Sequence, residues 1–155
     1  MKASILFDSK TGHTRTAGEW ISKGMEEAGI ETKCFNIFDV DQSWVQDSDC
    51  IILGSPTYMA DVTADMKKFL EGLSAYGVAG KLGGAFATAQ YDWGGGVVAI
   101  ETMLRHMLVA GMMVYSSGGT ESPVIHLGPV SVNGNGEEVF VQFGRRMAAQ
   151  CLKLK

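Results

Sequence analysis

Short apolar runs alternate with amphipathic stretches along nearly the whole chain, and that alternation leaves few folds open. Ala3 to Phe7, Glu31 to Asn36, Cys50 to Gly54, Gly83 to Thr88 and Met112 to Tyr115 read as strands. Between and after them lie helical patterns over Thr14 to Ala28, Asp61 to Gly72, Val97 to Ala110 and Glu137 to Leu152. In these, apolar residues recur at helical spacing: Ala17, Trp20, Ile21, Gly24, Met25 and Ala28 in the first, and Val62, Met66, Phe69 and Leu70 in the second. The third pattern has a seam of Val97, Ile100, Leu104, Met107 and Leu108; the last is carried by Phe140, Phe143, Met147 and Cys151. Strict strand–helix alternation requires crossover connections, so the strands lie parallel and the helices cover both faces. The expectation is an α/β protein with a five-stranded parallel sheet of order 2-1-3-4-5. Neither repeat nor linker divides the 155 residues, which predicts one domain over residues 1–155. Ser116 to Gly136 carries no clear element and reads either as a functional loop or as an interruption of the last strand.

Composition removes several classes of function. The formal net charge is −4, and basic residues cluster no further than Lys67-Lys68 and Arg145-Arg146, so a nucleic-acid partner is not expected. The 3 cysteines, Cys34, Cys50 and Cys151, are scattered without a CxxC, which argues against a disulfide framework or a metal site and for a reducing, cytoplasmic setting. Met1-Lys2 leads straight into the first strand with no signal-peptide pattern. The longest apolar stretch, Met107 to Tyr115, is too short to span a bilayer, so no membrane partner is expected.

In doubly wound sheets, ligands bind beyond the carboxyl ends of the strands. Three segments there are unusual. After the first strand, Ser9-Lys10-Thr11-Gly12-His13-Thr14 opens into a helix; the exposed amides and helix dipole suit an anion, and the hydroxyls add donors. An ordinary capping turn is the simpler alternative. After the third strand, Ser55-Pro56-Thr57-Tyr58-Met59-Ala60-Asp61 offers a stiffened turn and apolar surface for a planar ring. After the fourth, Thr88-Ala89-Gln90-Tyr91-Asp92-Trp93-Gly94-Gly95-Gly96 sets two aromatics beside three glycines, as a backbone wrapping a flat ligand would.

Taken together, these loops resemble the flavodoxin family over nearly the whole chain. The Ser9-x-Thr11-Gly12-x-Thr14 pattern is similar to the family's FMN phosphate loop. Pro56-Thr57-Tyr58 and Thr88 to Gly96 resemble its two isoalloxazine loops. The resemblance implies a flavodoxin-like three-layer sandwich. It further implies an FMN site built from Ser9, Lys10, Thr11, Gly12, His13, Thr14, Pro56, Thr57, Tyr58, Met59, Thr88, Ala89, Gln90, Tyr91, Asp92, Trp93 and Gly94. Tyr58, Tyr91 and Trp93 are the candidates for stacking on the flavin.

Two branches of the family share these features. Gly54-Ser55-Pro56-Thr57, Met66-Lys67-Lys68-Phe69-Leu70, Gly94-Gly95-Gly96 and Gly111-Met112 resemble the NAD(P)H:quinone oxidoreductases related to the tryptophan-repressor-binding protein. Gly94 to Glu101 also resembles the true flavodoxins, which carry electrons between redox proteins. The reductase branch has a His-His pair where Val109 and Ala110 stand here. True flavodoxins have a Gly after the aromatic of the second loop, where Met59 and Ala60 follow Tyr58. A peptide flip there on flavin reduction needs a conformation that Met and Ala reach only at a cost, so two-electron transfer is expected. The leading expectation is FMN-dependent oxidoreductase chemistry: NAD(P)H as co-substrate, a quinone-like small molecule as acceptor, and the amides of Ala89 to Gly94 facing the charge that develops on the flavin. His126 is a catalytic candidate from the long loop. The alternative is an electron carrier with redox-protein partners, and a homodimer is compatible with either. No metal is expected.

Overall fold

The computed structural model describes residues 1–155. Six strands and five α-helices follow in order: β1 Lys2–Phe7, α1 His13–Glu27, β2 Glu31–Asn36, α2 Gln42–Asp47, β3 Cys50–Pro56, α3 Ala64–Glu71, β4 Leu82–Ala89, α4 Gly96–Val109, β5 Met113–Val114, β6 Val130–Val132 and α5 Glu137–Lys153. A 3-10 turn, Leu73–Tyr76, follows α3.

The strands form one parallel sheet of order β2-β1-β3-β4-β5, with β6 also pairing to β4. β5 and β6 share the fifth position. Met113 and Val114 lie beside Leu82 and Gly83 at one end of β4, and Val130 to Val132 lie beside Ala87 to Ala89 at the other. Residues 115–129 leave the sheet between them. The interrupted-strand reading of Ser116 to Gly136 therefore holds for this segment, and the predicted strand over Met112 to Tyr115 shortens to two residues.

Alternate side chains along the strands feed two cores. Leu6, Ile51, Leu53 and Ala85 face Met66, Leu70, Met103 and Met107 of α3 and α4. Ile5, Phe7, Ile52 and Phe86 face Ile21, Met25, Phe140, Phe143 and Met147 of α1 and α5. Both faces of the sheet are covered, as parallel sheets require.

Two helical expectations change. The helix predicted from Asp61 begins at Ala64, because Thr63 takes the extended backbone of an N-cap and its hydroxyl accepts from the Met66 amide at 3.1 Å. In α4 the seam is Gly96, Ala99, Ile100, Thr102, Met103 and Met107, whereas Val97 and Leu108 are exposed. Small residues at 96 and 99 let that side of the helix lie close to the sheet and turn the larger flanking side chains outward. No helix is long and apolar enough to cross a membrane.

Candidate functional site

The three unusual loops meet at the carboxyl end of the sheet and line one cavity of about 600 Å³. That volume falls in the range of about 300–1,000 Å³ typical of small-molecule and cofactor sites. The loop after β1 contributes Lys10, Thr11, His13 and Thr14; the segment after β3, Pro56 to Ala60; the segment after β4, Thr88 to Tyr91 and Gly94. Ser9, Gly12, Asp92 and Trp93 do not line it. The Ser9 hydroxyl instead accepts from the Arg15 amide at 3.3 Å, and Trp93 stands almost wholly in solvent. His126 is exposed and stands outside the cavity lining. Two lining residues escaped the sequence reading. Ala60 lies within the segment singled out after the third strand but is not among the expected site residues, and Asn133 follows the three-residue β6 that no periodicity announces.

Gly12 sits at φ 98°, a left-handed conformation that costs glycine little, and it caps α1 without a side-chain hydrogen bond. The amides of Lys10, Thr11 and Gly12 have no acceptor in the chain, and the first turn of any helix leaves further N–H groups unsatisfied. Together they make a cradle of neutral donors at one end of the cavity. The loop is fixed from below: the Thr14 and Thr88 hydroxyls are 2.8 Å apart, and Thr57 donates through both N and Oγ1 to the Thr88 carbonyl, at 2.8 and 2.9 Å. The Asn133 amide donates to the Ala89 carbonyl at 3.0 Å.

Lys10 reaches back toward the protein. Its Nζ is 2.7 Å from Asp65 Oδ2 and 3.3 Å from Asp8 Oδ1. The Asp65 hydrogen bond, with support from Asp8 and against partial desolvation, holds the Lys10 ammonium above its ordinary range. Asp8, at the end of β1, is fully buried.

At the other end, residues 58–61 form a tight turn. Tyr58 and Asp61 exchange both backbone hydrogen bonds, at 2.8 and 3.1 Å, while Met59 (φ 50°) and Ala60 (φ 59°) both take left-handed backbone. The sequence suggests that these residues resist such conformations; the turn adopts them, held by its surroundings. Asp61 Oδ1 accepts from the Thr102 hydroxyl of α4 at 2.6 Å and from the Val62 amide at 2.8 Å. A Cβ on Gly95 would lie 2.7 Å from the Ala60 Cβ, so the glycine run packs directly against the turn. Tyr58, Met59 and Tyr91 line the cavity and remain solvent-exposed, leaving apolar surface at its mouth.

These features define a doubly wound α/β protein whose cavity joins a run of unpaired amides to exposed aromatic side chains. A family model described as Flavodoxin matches residues 5–121. The chain is 42% identical over 153 residues to a flavodoxin of Clostridium saccharobutylicum, covering 96% of each chain. It is 28% identical over 146 residues to an NAD(P)H dehydrogenase (quinone) of Rhodopseudomonas palustris (strain BisB18), covering 76% of this chain and 73% of that one. Among solved structures it resembles a flavodoxin from the domain Archaea (24% identity, TM-score 0.80, 98% and 99% covered). It likewise resembles the flavodoxin, WrbA-like protein of Agrobacterium tumefaciens (21% identity, TM-score 0.81, 99% of each). The chain belongs to the flavodoxin family, and that family implies FMN as cofactor and redox proteins as electron partners.

Proposed function

We propose that this protein holds FMN in the cavity and carries electrons between redox proteins. The observation that carries the reading is the convergence of the three loops on one space, with orphaned amides at one end and exposed aromatic side chains at the other. The residues present fit the group. Thr11, Gly12, His13 and the first turn of α1 supply neutral donors for the phosphate. Tyr58 and Tyr91 supply faces for the ring system, and the backbone of Gln90 and Tyr91, which line the cavity, supplies dipoles toward its polar edge, whereas the Gly94 amide is already donated to the Tyr91 carbonyl. FMN, when bound, supplies the redox chemistry; the protein supplies binding, orientation and electrostatics.

The carrier reading stands ahead of the NAD(P)H:quinone oxidoreductase expected from the sequence. The flavodoxin relative matches at 42% identity end to end, the quinone dehydrogenase at 28% over three quarters of the chain. The ionisable side chains lining the cavity are Lys10, His13, Tyr58 and Tyr91. The reductase reading, with NAD(P)H as donor and a quinone as acceptor, keeps the support of the distant relatives alone.

The deciding experiment loads the protein with FMN, removes the excess, and mixes it anaerobically with NADH or NADPH while following flavin absorbance. A carrier stays oxidised until a partner reductase is supplied. Rapid bleaching by the nicotinamide alone restores the reductase reading. Failure to retain FMN refutes both.

A further inference from the structure

Lys10 is the only lysine or arginine lining the cavity, and a cation there reads at first as the counter-ion of a bound phosphate. Its geometry says otherwise. The ammonium lies between two carboxylates, 2.7 Å from Asp65 and 3.3 Å from Asp8, and 5.4 Å from the centroid of the Phe38 ring. One positive charge thus faces two negative ones immediately behind the phosphate cradle. Asp8 is the demanding member, with a side chain only 1% exposed. Its Oδ2 accepts from the Thr63 hydroxyl, while Oδ1 has no hydrogen-bond partner, so the Lys10 charge is what compensates that oxygen. A buried carboxylate deprived of its counter-charge repels any anion nearby, and low local dielectric strengthens the effect. Asp65 lies in the first turn of α3, so the same ammonium also ties the loop after β1 to the helix that follows the 58–61 turn.

We infer that Lys10 is a positioning residue: its ammonium neutralises buried Asp8 and so keeps uncompensated negative charge away from the phosphate end of the site. This deepens the proposed function and rests on it. It makes Asp8, 55 residues from its partner Thr63, a determinant of how well the site tolerates a phosphate-bearing flavin over one without phosphate.

The test is a double-mutant cycle on the apoprotein, with FMN and riboflavin titrated by flavin fluorescence and folding followed by urea unfolding. Lys10→Met weakens FMN by about tenfold or more, because Asp8 is left uncompensated, and changes riboflavin binding little. Asp8→Asn combined with Lys10→Met recovers FMN binding to within about threefold of wild type, the interaction expected of coupled neighbours. Two results overturn the inference: an equal FMN loss from Lys10→Met in the wild-type and Asp8→Asn backgrounds, which makes Lys10 a direct phosphate ligand, or an equal loss for riboflavin, which makes its role general to the loop. Wild-type protein that binds FMN but shows either result sinks this inference alone; wild-type protein that binds no flavin sinks the proposed function with it.

Discussion

The hydroxyls of Thr14 and Thr88 meet at 2.8 Å in a buried contact that joins the first turn of α1 to the end of β4. Their residues are 74 positions apart, and both line the cavity. The contact fixes the distance between the loop after β1 and the β4 loop. Removing one partner leaves the other buried and unpaired. Thr88→Val is expected to destabilise the apoprotein by about 1–3 kcal/mol, and the double variant Thr14→Val with Thr88→Val by less than the sum of the singles. Urea unfolding of the four proteins measures this.

The 58–61 turn stores conformational strain at two consecutive non-glycine residues. Left-handed backbone costs an L-residue about 1–2 kcal/mol, partly offset by the chain entropy a glycine adds to the unfolded state. Met59 is 99% exposed, so Met59→Gly loses no packing. It is expected to raise stability by up to about 1 kcal/mol. Gly95→Ala should do the reverse, since its φ is 91° and the new Cβ would collide with Ala60. Thermal unfolding of both variants decides the matter; a stabilising Gly95→Ala would contradict the packing described.

Exposed aromatics divide by position. Tyr58 and Tyr91 line the cavity, and Trp93, at 98% exposure, does not. All three are expected to be replaceable by alanine with apoprotein stability changed by less than about 0.5 kcal/mol, as is usual for surface sites. FMN affinity should fall for Tyr58→Ala and Tyr91→Ala and hold nearly constant for Trp93→Ala. Fluorescence titration separates them, and a Trp93 variant as weak as the other two would place that ring over the flavin.

Cys34 provides a pH-dependent readout. Burial, the largest influence, pushes its thiol up to about 11, against a hydrogen bond from Ser22 that lowers it. The thiol is therefore protonated in the folded protein at pH 8, and alkylation by iodoacetamide should be slower than for a free thiol. The unfolded chain ionises this group first as pH rises. Stability from this site is thus present below about pH 8.5, the ordinary cysteine value, and declines as pH rises toward 11. Unfolding midpoints measured between those values, with Cys34→Ala as control, should show a decline that the variant lacks.

The strands and long helices were legible in the sequence because their burial is periodic, and the three loops were legible because their residue types are unusual for connections. What escaped was short or set by tertiary contact. The α2 helix, Gln42–Asp47, buries only Trp44 and Val45, too few to print a period. β6 is Val-Ser-Val with Gly-Pro before it and Asn-Gly after it, and pairing with β4 alone makes it a strand. Asn133 enters the cavity only because β6 delivers it there. Thr63 rather than Asp61 starts α3 because Asp61 is engaged by Thr102, a residue 41 positions later that no local pattern can reveal. Exposed Val97 and Leu108 show that an apolar stripe fixes a helix more securely than it fixes the helix's rotation.

The divided fifth strand has a consequence for self-association. An open sheet edge is a template for another chain in proportion to the length of unpaired backbone it offers. Here the outer edge consists of two residues, 113–114, and three residues, 130–132, separated by a segment that departs from the sheet plane. Neither piece is long enough to recruit a strand in register. The detour that interrupts the strand also protects that side of the molecule from fibril-like stacking.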